Sequence, residues 1–128
     1  MNEEIMQMLT QMNQQHEALQ EQLNVVGQQI LELQHFREEI SVLEKNKNAE
    51  ILAPLGKSVF AKVDFNANKK VFVDVGVGYF VQKDLSEARE VVEDQTKKFH
   101  GFKAQISAEL SNLTNQLEMM ISGTQLPN

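Results

Sequence analysis

The segment Val71-Phe-Val-Asp-Val-Gly-Val-Gly-Tyr-Phe-Val81 decides the fold of this 128-residue chain. Its first five residues are rich in β-branched side chains, which favour a strand. The Gly76-Val-Gly78 stretch is typical of a tight turn, and the residues after it have the character of a second strand. This segment therefore predicts a β-hairpin.

A similar unit precedes it. Pro54 and Gly56 exclude a helix there. Apolar and polar side chains alternate in residues 58–63, which favours a strand, and Asn66-Ala-Asn68 is a candidate turn. We expect four short strands, arranged as two hairpins, within residues 49–83.

A long helix is predicted before the hairpins, over residues 1–48. Its apolar positions recur by steps of four and three, with an average spacing of 3.5 residues that is typical of a left-handed coiled coil. They are Ile5, Leu9, Met12, His16, Leu19, Leu23, Val26, Ile30, Leu33, Arg37 with Phe36 beside it, and Ile40.

A second long helix is predicted after the hairpins, over residues 84–122. Asp84 can cap its first amides and Glu87 can reach back to the cap. The spacing of its apolar seam changes once, between Phe102 and Leu110. We expect Gly123 and Pro127 to end the helix, which leaves residues 123–128 as a tail. The seam consists of Leu85, Ala88, Val92, Gln95, Phe99, Phe102, Ile106, Leu110, Leu113, Leu117 and Met120.

The expected fold is mainly α with a small β head: one domain, 1–128, in which a long antiparallel two-helix coiled coil is linked by two β-hairpins. A lone two-stranded hairpin is marginal in water, and its open edges favour pairing with other strands. The sequence therefore predicts that this chain oligomerises.

Composition excludes several classes of protein. The chain has no cysteine, no readable signal peptide and no membrane span, so we expect a cytoplasmic location. Residues 1–50 carry nine acidic and three basic side chains, and residues 51–83 carry two and five. Five scattered lysines are too few to predict nucleic-acid binding.

No catalytic or cofactor site is predicted. Gly56-Lys57-Ser58 has the tail of a phosphate-binding loop, but Ile51 stands where that loop requires glycine. The three histidines are far apart in sequence, and no nucleophile is paired with a base. We expect neither enzyme activity nor a bound metal or cofactor.

The six methionines all lie near the two ends of the chain. An antiparallel hairpin of helices would bring both groups together, and the flexible thioether side chain suits surfaces that bind many sequences. Met12 and Met120 lie on the seam, where an ordinary core role is the alternative. The predicted binding residues are Ile5, Met6, Met8, Leu9, Met12, Leu117, Met119, Met120 and Ile121.

The order of these elements, with Pro54-Leu-Gly56 and the Val73-Asp-Val-Gly-Val-Gly-Tyr79 hairpin, resembles the alpha-class subunit of prefoldin. Four strands instead of two favour the alpha class over the beta class. Ser58 stands where the family usually has a second glycine, and Gln82 where an acidic residue is common.

The resemblance implies a hexamer of two alpha-class and four beta-class subunits, so the partners would be beta-class chains and a second copy of this one. Such a complex would hold unfolded proteins between its coiled-coil tips without a nucleotide and transfer them to a group II chaperonin. The strands would supply core and assembly contacts through Val59, Phe60, Val63, Val71, Val73, Val75, Tyr79 and Val81.

Two alternatives remain open at this point. The chain could be a prefoldin-like scaffold whose coiled coil tethers defined partners and has no general holding activity. It could also be a free-standing coiled-coil homo-oligomer in which the methionines are buried between copies. Suppression of aggregation of an unrelated denatured protein would distinguish a chaperone that holds unfolded proteins from both the scaffold and the homo-oligomer.

Overall fold

The computed structural model describes residues 2–46, 48–66 and 70–125. The elements in chain order are α1 (Glu3–Lys45), β1 (Asn48–Gly56), β2 (Val59–Asn66), β3 (Val71–Gly76), β4 (Tyr79–Lys83) and α2 (Leu85–Gln125). The chain divides into two compact units. We call residues 1–31 with 97–128 the helix-end unit and residues 32–96 the hairpin unit.

The strands of the hairpin unit form two separate antiparallel pairs, β1 with β2 and β3 with β4, which confirms the predicted hairpins. Ile51 lies opposite Val63 in the first pair, and Val73 lies opposite Val81 in the second. Among the described residues, neither pair is hydrogen-bonded to the other, so each sheet has two strands. The turn predicted at Asn66-Ala-Asn68 falls largely on residues 67–69, which lie outside the described residues.

Both hairpins turn in the same way. Lys57 and Ser58 have φ angles of 48° and 67°, and Val77 and Gly78 have φ angles of 53° and 76°. Positive φ at both central residues is the type I′ turn, whose twist matches that of the flanking strands. Ser58 therefore holds a left-handed conformation at the position where the family that this chain resembles usually has glycine.

Val77 is the residue least suited to its turn. A β-branched side chain at positive φ is sterically strained, and Val77 is 97% exposed, so it has almost no packing in this chain to compensate. Replacing Val77 by asparagine creates Asn-Gly, the preferred type I′ dipeptide. We expect this change to raise the free energy of unfolding by about 1 kcal/mol, measured by urea denaturation.

The control for this prediction is Val75→Asn, at the bulge of the same hairpin between Asp74 and Gly76. Val75 lies on β3, where asparagine is disfavoured. That variant should be no more stable than the wild type. A Val77→Asn chain that is less stable than the wild type would contradict the strain assigned to the turn.

The predicted cap of α2 is present. The Asp84 Oδ1 accepts a hydrogen bond from the Glu87 backbone N–H at 2.8 Å and another from the Ser86 hydroxyl at 2.9 Å. The Asp84 N–H in turn donates to the Glu87 carboxylate at 3.5 Å. The Glu87 backbone N–H, followed by the Ser86 hydroxyl, holds the pKa of Asp84 below its usual value.

A pH dependence follows from this cap. Because the pKa of Asp84 is lower in the folded chain, its carboxylate stabilises the fold above about pH 4, the usual aspartate pKa. That contribution is lost as the pH falls through the lower, folded pKa. Asp84→Asn keeps an oxygen acceptor but does not titrate. The stability advantage of the wild type over Asp84→Asn should therefore shrink on acidification, and an advantage that grows would contradict the cap.

Each unit has its own apolar core. In the helix-end unit, Leu19 of α1 is buried with Leu110 and Leu113 of α2, and Met12, Leu23, Ile106 and Leu117 pack against them. In the hairpin unit, Ile40 is buried with Leu85 and Val92, and Leu33, Leu43, Phe65 and Val71 pack against these three. The two helices therefore contact each other within both units, as the coiled-coil prediction requires.

Most predicted seam residues are buried or half-buried, but Phe36, Arg37, Gln95 and Phe102 are exposed. Phe102 was expected on the seam. It is 50% exposed because the slip toward Leu110 turns the buried line of α2 away from it.

The prediction that Gly123 ends the second helix is wrong. α2 continues to Gln125, since one glycine costs a helix only about 1 kcal/mol. Pro127 lies outside the described residues. Within the described part of the chain, neither helix has a stretch long and apolar enough to cross a bilayer.

Candidate binding surfaces

The first candidate surface lies in the helix-end unit, where α1 begins and α2 ends. Asn2 fixes the start of α1, because its side-chain oxygen accepts a hydrogen bond from the Glu4 backbone N–H at 3.0 Å. We call the nine predicted binding residues here the tip surface: Ile5, Met6, Met8, Leu9, Met12, Leu117, Met119, Met120 and Ile121.

The tip surface has an inner and an outer part. Ile5, Leu9, Met12, Leu117 and Met120 are half-buried, and two of them, Met12 and Leu117, pack against the core of the unit. The other four side chains are open to solvent, with exposed fractions of 56% for Met6, 52% for Met8, 73% for Met119 and 43% for Ile121. Met12 and Leu117 therefore contribute to the contact between the helices, whereas the four outer side chains face solvent.

Charge is distributed unequally between the units. In the hairpin unit, Arg89 donates from Nη1 to both carboxylate oxygens of Glu44 at 2.9 Å, and the Arg37 Nε lies 2.8 Å from Glu93. These pairs join α1 to α2. Within the described residues of the helix-end unit there is no ion pair, and residues 2–36 and 104–125 contain no lysine or arginine.

Among the described residues, apolar packing is therefore the main contact between the helices at the tip surface. Apolar contacts between side chains adapt to a partner more easily than a fixed ion pair does, because they are not directional.

The second candidate surface is formed by the two hairpins. Of the eight predicted assembly residues, Val71 and Val73 are half-buried, and Val71 packs on the core of the hairpin unit. The remaining six are exposed in this chain: Val59, Phe60, Val63, Val75, Tyr79 and Val81. Both hairpins therefore present apolar side chains to solvent in this chain.

Five further exposed apolar residues on the hairpins were missed. These are Leu52, Leu55, Phe72, Val77 and Phe80. The available signal was the unbroken apolar run at residues 71–73, because a strand that is apolar on consecutive positions is apolar on both faces. A soluble monomer rarely exposes such a large apolar patch, so the patch indicates an interaction surface.

Neither surface has the composition of a catalytic or metal site. Within the residues that the structure describes, no three histidine, cysteine, aspartate or glutamate side chains are placed to hold a metal ion. The side chains that define both surfaces are apolar, and the strands of a two-stranded sheet can pair with further strands.

Comparison with known proteins agrees with this architecture. A family model described as prefoldin subunit matches residues 12–125. Prefoldin subunit alpha from Archaeoglobus fulgidus is 30% identical over 117 residues, covering 85% of this chain and 80% of that protein. A probable prefoldin subunit 5 from Schizosaccharomyces pombe is 29% identical over 79 residues, covering 61% of this chain and 47% of that protein.

A solved structure has the same fold. The cryo-EM structure of filamentous PFD from Methanocaldococcus jannaschii aligns with a TM-score of 0.77, at 20% identity, over 91% of this chain and 97% of that one. The hairpins, the helices and the relatives agree, and this chain belongs to the prefoldin family, as an alpha-class subunit.

Proposed function

We propose that this chain is a subunit of a cytoplasmic chaperone that holds unfolded proteins without ATP and transfers them to a group II chaperonin. Membership of the prefoldin family supports a chaperone-type subunit. The holding activity is assigned to the tip surface, and assembly to the hairpins.

The observation that carries the proposal is the exposure of Met6, Met8, Met119 and Ile121 beside a packed pair of helices. An unfolded protein exposes apolar side chains of many shapes, and unbranched methionine can adapt to them. Each contact is weak. Several tips in one complex would act together, because binding at one raises the effective concentration at the next.

The hairpins support assembly with other subunits. Among the described residues each sheet has only two strands, so each strand has a single strand neighbour, and such sheets favour pairing with further strands. We propose that beta-class prefoldin subunits and a second copy of this chain cover these edges and the exposed apolar side chains around them.

The test is suppression of aggregation by the assembled complex. An unrelated guanidinium-denatured protein is diluted into buffer, and light scattering is followed with increasing amounts of complex. The variant has glutamine at positions 6, 8, 119 and 121, which retains helix propensity. We expect half-suppression to require about tenfold more of this variant, equivalent to a loss of about 1.4 kcal/mol in binding.

A matched control changes exposed apolar residues elsewhere on α1. Leu31 is 66% exposed and Val42 is 57% exposed, and neither belongs to the tip surface. The Leu31→Gln, Val42→Gln chain should suppress aggregation as well as the wild type. Undiminished suppression by the tip variant would contradict the proposal and favour a scaffold that tethers defined partners.

A further inference from the structure

A second surface of the helix-end unit has a composition different from the tip. A groove of about 440 Å³ lies between α1 and α2, away from the nine tip residues. Its lining consists of four apolar side chains, two acidic ones and two glutamines, namely Val25, Val26, Phe102, Ile106, Glu21, Glu109, Gln22 and Gln105. We call this surface the acidic groove.

The apolar part of the acidic groove is accessible. Val25 is 49% exposed and Phe102 is 50% exposed, whereas Val26 and Ile106 are half-buried between the helices. Ile106 also packs against the core of the unit, so the groove rests on a fixed base.

Phe102 is held by an aromatic neighbour. Its ring meets that of Phe99 edge to face, with centroids 5.8 Å apart and planes at 87°. This arrangement is favourable and restrains the ring. A half-exposed, restrained aromatic ring can bind a cation placed over its face, within about 6 Å of the centroid.

Two acidic side chains give the groove its negative charge. Glu21 and Glu109 are both exposed, and neither has an ion-pair partner among the residues that the structure describes. Lys103 is near in sequence but does not line the groove. The acidic groove thus combines negative charge, an aromatic ring and apolar surface within one site.

We propose that the acidic groove binds segments of unfolded proteins in which an arginine adjoins apolar side chains. This inference rests on the proposed function and names a class of client that the tip surface does not select. The planar guanidinium of arginine can stack on Phe102 while it donates hydrogen bonds to a carboxylate. The neighbouring apolar side chains of the client would cover Val25 and Val26.

A second copy of this chain fits the acidic groove less well. A symmetric contact places the same patch on both subunits against itself. Glu21 and Glu109 of each copy would then meet the same carboxylates of the other, which is unfavourable. The charge of the groove therefore favours a basic partner.

The experiment compares two labelled peptides that share an apolar core. One carries an arginine beside the core, and the other carries citrulline, which is neutral but has nearly the same shape. Binding to the full chain is measured by fluorescence anisotropy. We expect the arginine peptide to bind about fivefold more tightly, as two exposed charge contacts permit. The preference should disappear near 1 M salt, where the Debye length is about 3 Å.

Charge variants locate the preference. Glu21→Gln with Glu109→Gln should bind both peptides equally. The matched control, Glu17→Gln with Glu118→Gln, removes the same charge from exposed positions of the same two helices and should retain the preference. Equal binding of the two peptides by the wild type, or a preference unchanged in the Glu21→Gln, Glu109→Gln chain, would overturn the inference.

The same samples separate this inference from the proposed function. The Glu21→Gln, Glu109→Gln complex should still suppress aggregation, because its tip surface is intact. Suppression without any arginine preference would refute the acidic groove alone. An arginine preference in a complex that suppresses no aggregation would refute the proposed holding of unfolded proteins. The acidic groove would then be a binding site for defined arginine-containing segments. Sedimentation in which the groove variant dissociates a dimer would overturn the assignment to clients.

Discussion

Replacing Ile40 by alanine is expected to lower the free energy of unfolding by about 3 kcal/mol. Ile40 is only 3% exposed and is buried with Leu85 and Val92 at the centre of the hairpin unit. Alanine removes three carbons from a site where the surrounding helices and strands fix the available space. The loss combines the transfer free energy of the side chain with the cost of the cavity left behind.

The measurement is urea denaturation followed by circular dichroism at a fixed protein concentration, since assembly changes apparent stability. Val42→Ala is the control on the same helix. Val42 is 57% exposed, so its replacement should change stability by no more than about 0.5 kcal/mol. Equal effects of the two substitutions would contradict the core described for the hairpin unit.

Replacing Leu113 by alanine should have a similar effect in the helix-end unit, about 3 kcal/mol. Leu113 is 6% exposed and packs with Leu19 and Leu110. Because no ion pair joins the described residues of this unit, its apolar core is the main contact between α1 and α2 there. Hydrogen exchange should show faster exchange of backbone amides around Leu19 and Leu110.

Leu31→Ala is the matched control for this second prediction, because it makes the same chemical change at a position 66% exposed. Its exchange rates and urea midpoint should stay close to those of the wild type. A Leu113→Ala chain with wild-type exchange around Leu19 would show that the two helices are not held by this core.

The main elements of the fold could be predicted from sequence because each follows from a short-range pattern. The steps of four and three predicted the coiled coil, and the stretch from Asp84 to Glu87 predicted the cap of α2. The hairpins followed from their glycines and β-branched runs. These features depend on residues within a few positions of each other, so one sequence is sufficient to identify them.

The features that sequence did not reveal depend on contacts or on small differences in energy. Glu44 and Arg89 are 45 residues apart, and nothing in the local pattern indicates that they pair. The exposure of Phe102 depends on how α2 packs against α1 beyond the change in the spacing of its seam. The continuation of α2 through Gly123 reflects a small penalty that the helix tolerates. The acidic groove was missed for the same reason, because its lining residues come from two helices.

Site-specific crosslinking tests the central claim most directly, namely that the exposed residues of the tip surface hold unfolded proteins. A photoreactive phenylalanine analogue is placed at Met8 or Met119 and, as controls, at Leu31 or Val42, all four of which are more than half exposed. Irradiation of the complex with a denatured protein should crosslink the client strongly at positions 8 and 119 and weakly at 31 and 42. Equal crosslinking at all four positions, or none at the tip, would contradict the account.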